Sequence, residues 1–420
     1  MTEFIIPALK PHQVSGAAWL AKKRHALLAD EMRVGKTLTA LEAARHIEAE
    51  DILVVCPAVA RFNWARNIQE HLGRRPQIAL RRSEPRLGSI VVTSYDLAAQ
   101  VADEYWDLVI LDESHYLRRC EAGRTKIILG KGGLIHRATF AWFLSGTPAV
   151  NHYGELWQML YVCGLYAGTY EDFLREFCVV FQGPYGTQIR GSKNHEKLKE
   201  LMAGFMLRRK FAEIAPELPP IELSDYTIEL PREAGPLDCP ALRDALNAPD
   251  PMAALEMQAP AVATLRRYTG LAKVGQVAYL VRAELDENMD KIVLFTYHRE
   301  VLEGLKRALM GFSPVSVAGG DTPRQREQAL RTFKDDPRCR VFIGQILAAG
   351  TAIDLSVASN ALFVESSWVP GENAQAAMRL QNINQDRRVT VRFVGMAGSL
   401  DEQIQRVVRR KTRDFSNLFG

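Results

Sequence analysis

The chain has 420 residues, 47% apolar and 24% charged, a composition that excludes a wholly disordered polymer and, at roughly 150 residues per domain, predicts two or three domains. Lysine and arginine number 53 against 49 aspartates and glutamates, and this excess of four is too small to argue by itself for a nucleic-acid partner. No apolar run approaches the roughly 18 residues of a membrane span, and the opening MTEFIIPALKPHQ lacks a basic segment followed by an apolar stretch. Neither a span nor a secretory signal is therefore expected. The expected location is the cytoplasm, or the nucleoid if the source is prokaryotic or viral. Six cysteines (Cys56, Cys120, Cys163, Cys178, Cys239, Cys339) form no CxxC pair, so buried thiols fit better than zinc or disulfides.

In chain order, Leu38, Leu41, Ala44 and Ile47 predict a helix that opens at Gly35-Lys36-Thr37. Strands are predicted at Ile52–Cys56, Ser89–Tyr95, Asp107–Leu111 and Ala141–Leu144. An insert at 152–215 follows, with aromatics, a GPYG turn and a basic helix, KLKELMAGFMLRRK. Residues 216–260 then hold nine of the twenty prolines; such a stretch cannot be a long helix or a central strand and reads as a connector. Strands return at Lys291–Phe295, Val315–Val317, Arg340–Ile343, Ala361–Val364 and Thr390–Val394. Most of these runs are continuously apolar, the pattern of strands covered on both faces, with helical sequence between them. The expectation is α/β, one parallel sheet in each half. No repeat of about 20–50 residues is present, which excludes solenoids and propellers.

Two segments point to phosphate chemistry. A helix start at Gly35-Lys36-Thr37 offers unpaired N–H groups and a positive dipole end. Gly35 would let the backbone approach phosphate, Lys36 would meet the β/γ oxygens and the Thr37 hydroxyl would hold magnesium. The full GxxxxGK[ST] pattern fails, because Asp30 stands where its first glycine belongs, so on this segment alone an ordinary helix start stays open. The second segment is Asp112-Glu113-Ser114-His115, directly after a buried-type strand, at the edge where open α/β sheets place ligands. Adjacent carboxylates there call for a cation or positive partner. Asp112 is suited to hold magnesium and Glu113 to orient or deprotonate an attacking water. The alternative, acids capping a helix start, weakens once both segments occur in this order.

These residues carry a resemblance to the Swi/Snf-type motor ATPases of helicase superfamily two. LKPHQVSGAAWL is similar to that family's adenine-reading Q motif, with Gln13 as the reader, and DEMRVGKT, DESH and LSGTPAVN resemble its motifs I, II and III. ELWQML and FMLRRKFAEIAPELPP resemble the helical protrusion and brace. VLFTYH resembles motif IV, AAGTAIDL motif V, and ESSWVPGENAQAAMRLQNINQ the block through motif VI. GLAKVGQVAYL points toward the annealing-helicase branch. The resemblance covers roughly residues 7–415. It implies two tandem RecA-like lobes, 1–151 and 261–420, with a helical protrusion and brace at 152–215 and the connector at 216–260. ATP and Mg2+ would be the cofactors. It further implies nucleotide contacts from Gln13, Arg33, Val34, Gly35, Lys36, Thr37, Leu38, Gly350 and Asp354, metal contacts from Thr37 and Asp112, and catalytic roles for Lys36, Asp112, Glu113, Gln375 and Arg379, the last reaching the γ-phosphate from the second lobe. Motif VI departs from the family at Asn382, where a second arginine is usual, and at Gln381 and Asn384.

By the same resemblance, phosphate-gripping candidates are Pro57, Arg61, Asn63 and Trp64; Thr93, Ser94 and Tyr95; and, in the second lobe, His298, Gly320, Thr322, Arg326, Gln345 and Trp368. Such contacts position nucleic acid without reading sequence. Trp64 and Trp368 are also ordinary core candidates, and Arg208-Arg209-Lys210 could brace the lobe or touch phosphate. The implied function is an ATP-driven translocase on double-stranded or branched DNA, targeted by the core surface, the 152–215 insert or a separate partner protein. The rival is an ATP-gated binding or scaffold protein that hydrolyses poorly because of Asn382. A double-stranded RNA motor stays open, since backbone contacts do not name the sugar.

Overall fold

A computed structural model of the chain describes residues 9–32, 34–79, 89–149, 151–183, 186–214, 221–229, 259–287, 289–349, 353–381, 387–397, 399 and 401. The chain divides near residue 216 into two compact bodies, here the first and second lobes. The first lobe is built on β1 (His25–Leu28), β2 (Ile52–Cys56), β3 (Gln77–Ile78), β4 (Ile90–Ser94), β5 (Trp106–Asp112), β6 (Ala138–Leu144) and β9 (Met206–Leu207), while β7 (Cys178–Gly183) and β8 (Gly186–Ser192) form a separate antiparallel hairpin. The seven-stranded sheet runs β3-β4-β2-β5-β6-β1-β9, all parallel. The second lobe has a six-stranded parallel sheet, β10 (Glu222–Ile228), β11 (Ile292–Thr296), β12 (Val315–Val317), β13 (Val341–Gln345), β14 (Asn360–Phe363) and β15 (Thr390–Met396), ordered β10-β15-β14-β11-β13-β12.

The expected α/β class follows from how both sheets are buried. Successive residues of a strand face opposite sides. Ala26 and Leu28 join one core with Val54, Ile110 and Trp142, while Leu27 and Ala29 join the opposite core with Val55, Leu111 and Phe143. Helices α1 (Pro11–Leu20), α2 (Lys36–His46) and α3 (Arg61–Leu72) cover the first of these faces through Ala17, Leu41, Ala44, Trp64 and Ile68. Tyr153, Leu156, Phe173, Phe177 and Leu198 of the insert cover the other. The insert therefore shares the first lobe's core, and β9 within it pairs with β1. Because all pairings are parallel, the loops after β1, β2, β4, β5 and β6 leave the sheet at one edge, the edge where ligands gather.

The connector reading of 216–260 needs correction. Glu222–Ile228 lies between Pro220 and Pro231, and its unbroken donors let it pair with β15 as an edge strand of the second sheet. Prolines bound this strand rather than interrupt it. The helix Ala259–Glu287 then leads into β11; 230–258 lie outside the described residues. Among the described residues no helix is long and apolar enough to cross a membrane.

Candidate active site

The phosphate loop is shaped from both sides. Gly35 sits in the left-handed region at φ 97° as the residue before α2. A Cβ there would lie 2.2 Å from the Gln13 amide nitrogen, so conformation and space both demand glycine. Gln13 is buried at the start of α1; its Oε1 accepts from Lys10 N–H at 2.9 Å and its Nε2 donates to Gly35 O at a long 3.5 Å. His12 Nε2 lies 2.9 Å from Val34 O. Lys36 Nζ donates to the carbonyls of Asp30 (2.8 Å) and Glu31 (3.1 Å). Burial holds the Lys36 ammonium below its ordinary value, opposed by the negative charges of Glu113, Asp30 and Asp112. Thr37 and Leu38 follow in the first turn of α2. Arg33 lies outside the described residues.

The non-glycine at position 30 has a structural answer. Asp30 is 0% exposed and meets the guanidinium of Arg209 through both carboxylate oxygens, with Arg209 also donating to His12 O. Arg208 donates to Ala29 O at 2.8 Å and Gly146 O at 3.3 Å. Of the two readings for Arg208-Arg209, these contacts favour the brace. Arg209 likewise closes the space beside Gly16, where a Cβ would lie 2.6 Å from its Nη2.

At the end of β5, Asp112 is pushed up to about 7, first by burial and then by the charge of Glu113, against the hydrogen bond from Trp64 and the charge of Lys36. Glu113 takes a left-handed backbone (φ 51°, ψ 51°), uncommon for a long side chain and typical of functional turns. His115 sits 3.4 Å from Glu113 and 3.2 Å from the Ser145 hydroxyl, which also accepts from Thr147 N–H. Burial and the neighbouring Arg118 lower His115 to about 4, so near neutral pH this is a contact of a neutral imidazole rather than an ion pair. It links DESH to the SGT turn after β6.

In the second lobe Glu365, 3% exposed, accepts from the N–H groups of Tyr297 (2.8 Å) and His298 (2.9 Å) and lies 2.6 Å from His298 Nδ1. Burial would raise its carboxyl, but the His298 contacts hold it below the usual carboxylate value. Gln345 accepts from Gly319 N–H at 2.7 Å and donates to Tyr297 O at 2.9 Å, clamping three strand-end loops. Thr322 caps the helix Pro323–Asp335, and Arg326 donates to Ala318 O at 3.4 Å. Gly320 is exposed and Trp368 half-buried near Arg266. Gln375 lies in the helix Pro370–Ala377, and Arg379 just beyond it, both half-exposed; Asp354 is exposed. Gly350, Asn382 and Asn384 lie outside the described residues.

Several nucleic-acid candidates must be corrected as side-chain contacts. Trp64 is 1% exposed and donates from Nε1 to Asp112 Oδ2 at 2.7 Å. Thr93 and Ser94 are buried in β4, and Tyr95 is buried with its hydroxyl donating to Asp112 O at 2.8 Å. Pro57 is buried too. The reason is common: these residues end or follow central strands, where side chains fall into the core. Arg61 is half-buried and donates to Ala58 O and Ala79 O; Asn63 accepts from Arg66. Sequence reasoning missed Asp30, His12, Ser145, Glu365 and Arg266. The acid at position 30 was the one visible signal.

Residues 12–233 match the SNF2-related domain and residues 273–384 the helicase conserved C-terminal domain. The chain belongs to the SNF2-related family of helicase-like ATPases. It is 26% identical over 432 residues to the DNA annealing helicase and endonuclease ZRANB3 of Mus musculus, covering 96% of this chain and 40% of that protein. It is 26% identical over 419 residues to the SWI/SNF-related matrix-associated actin-dependent regulator of chromatin subfamily A-like protein 1 of Xenopus tropicalis, covering 96% of this chain and 44% of that one. The chain thus spans less than half the length of these curated relatives. It also resembles the Sulfolobus solfataricus SWI2/SNF2 ATPase core in complex with dsDNA, at 21% identity and a TM-score of 0.47, over 99% of this chain and 93% of that one.

Proposed function

We propose that the chain is an ATP-driven translocase on double-stranded or branched DNA. The single observation that carries this is the buried Lys36 with the adjacent acids Asp112 and Glu113 at the edge of the first sheet, in a chain of this family. Gly35 and the following N–H groups cradle the triphosphate, and Lys36 exchanges two carbonyl partners for the β/γ oxygens. The donor set suits a hard cation, because Asp112 is a carboxylate raised first by burial and then by the charge of Glu113, and a positive charge offsets both. Thr37 and Asp112 would hold magnesium, which neutralises charge on the phosphate oxygens. Glu113 orients and deprotonates the attacking water.

Arg379, assisted by Gln375, is the group of the second lobe suited to stabilise transition-state charge on a transferring phosphoryl group. Arg61, Asn63, Gly320, Thr322 and Arg326 grip phosphates, contacts that leave choice of target to other surfaces or a separate protein. The test is ATP turnover with duplex, branched and single-stranded DNA and with RNA. Duplex or branched DNA should raise the rate at least about tenfold, and Lys36→Ala and Glu113→Gln should each lower it about 100-fold or more. Rates that do not respond to any nucleic acid reject the reading.

A further inference from the structure

Two of the segments matched to nucleic-acid gripping converge on one residue. Helix α3 begins with Arg61, Phe62 and Asn63; Phe62 is 50% exposed. One residue later Trp64 turns inward, and its indole N–H reaches Asp112 Oδ2 at 2.7 Å. From the neighbouring strand end, the Tyr95 hydroxyl donates to the Asp112 carbonyl at 2.8 Å. The Tyr95 ring also stacks on Tyr116, with centroids 5.3 Å apart and planes 10° apart. Tyr116 belongs to the turn that follows Glu113. Both polar atoms of two otherwise buried aromatic side chains are thus spent on the same aspartate, one on its carboxylate and one on its backbone.

We propose that Trp64 and Tyr95 are positioning residues that relay nucleic-acid engagement at the start of α3 and the end of β4 to the carboxylates of Asp112 and Glu113. The inference rests on the translocase reading above. The indole is rigid and buried in the same core cluster as Ala60, Ile68, Val92 and Ile110, so a shift of α3 moves its N–H with it. Hydrogen bonds weaken steeply with angle and distance, and this one is buried at a carboxyl group, where its loss is costly. A phosphate pulling on Arg61 or Asn63 therefore changes how Asp112 is held, without any side chain of the relay touching DNA. Tyr95 does the same for the backbone from which Glu113 takes its left-handed turn.

The test measures coupling rather than rate alone. Affinity for a fluorescent ADP analogue is determined with and without a duplex oligonucleotide, beside DNA-stimulated turnover. Linkage requires that DNA and nucleotide change each other's affinity by one factor, commonly about 5–150-fold. Trp64→Phe keeps an aromatic, though smaller, side chain and removes the donor; Tyr95→Phe removes only the hydroxyl and guards against a variant that fails to fold. Each should bring the coupling factor to within about twofold of one and lower DNA-stimulated turnover about tenfold, while DNA affinity without nucleotide stays within about twofold of wild type. Variants that retain the wild-type factor overturn the relay. A wild-type factor of one with stimulation intact overturns the relay and leaves the translocase reading standing; turnover that no nucleic acid stimulates overturns both.

Discussion

Each lobe anchors a buried acid just beyond a strand of its sheet, and the two anchors are built differently. Asp30, after β1, is held by Arg209, a guanidinium 179 residues away in sequence. Glu365, after β14, is held by the imidazole and two N–H groups of the loop after β11, its partner strand. The first anchor makes the phosphate loop depend on the inserted segment having folded. The second ties neighbouring loops of one sheet. The reactive groups differ in the same sense. In the first lobe Asp112 is raised by burial and by Glu113 against the opposing charge of Lys36, whereas Gln375 and Arg379 are half-exposed and Asp354 is exposed. One lobe preorganises charge; the other holds its loops and leaves its candidate groups accessible.

The largest effect that would break this contrast is catalytic. Arg379→Ala should lower nucleic-acid-stimulated turnover about a thousandfold, the loss typical of an arginine supplied to a transferring phosphoryl group, with nucleotide affinity of the first lobe nearly retained. Asn382→Arg should raise turnover less than about tenfold if Arg379 suffices. A far larger gain would favour the nucleotide-gated scaffold over the motor.

Next in size is the first anchor. Arg209→Leu leaves Asp30 buried without its charge partner and should cost about 3–5 kcal/mol, read by urea unfolding, together with weaker nucleotide binding. Loss of stability with unchanged nucleotide affinity would show that the brace does not shape the phosphate loop. In the second lobe Glu365→Gln keeps one acceptor and should cost less, about 1–3 kcal/mol, without changing nucleotide binding to the first.

The smallest effect concerns acid. Glu42 on α2 is lowered to about 2, chiefly by its hydrogen bond from Arg45, with His71 adding to it and burial opposing. Its folded value lies below the ordinary 4.5, so it stabilises above about pH 4.5 and that contribution is lost as pH falls toward about 2. Because Arg45 is 63% exposed, water and salt screen most of the interaction. The stability difference between wild type and Glu42→Gln should be modest at neutral pH and shrink through this window, as thermal melts at several pH values would show.

Much of this molecule was legible along the chain. The buried runs such as ILVVC and DLVIL announced β2 and β5, and the order of Gly35-Lys36-Thr37 before Asp112-Glu113 marked the candidate site. The short strands β1 and β9 were not legible, because HALL and ML contain no β-branched residue. Nor was β10, whose proline-flanked window looks like linker until β15 supplies its partner.

The sequence by itself determined which residues could meet phosphate and which runs must be buried, because both follow from local composition and spacing. Only tertiary structure decided that Asp30 belongs to Arg209, that Glu365 belongs to His298, and that Trp64 and Tyr95 face Asp112 instead of DNA. Those pairings join residues 17 to 179 positions apart, and nothing in the neighbourhood of either partner specifies the other until each sheet brings its own loops together.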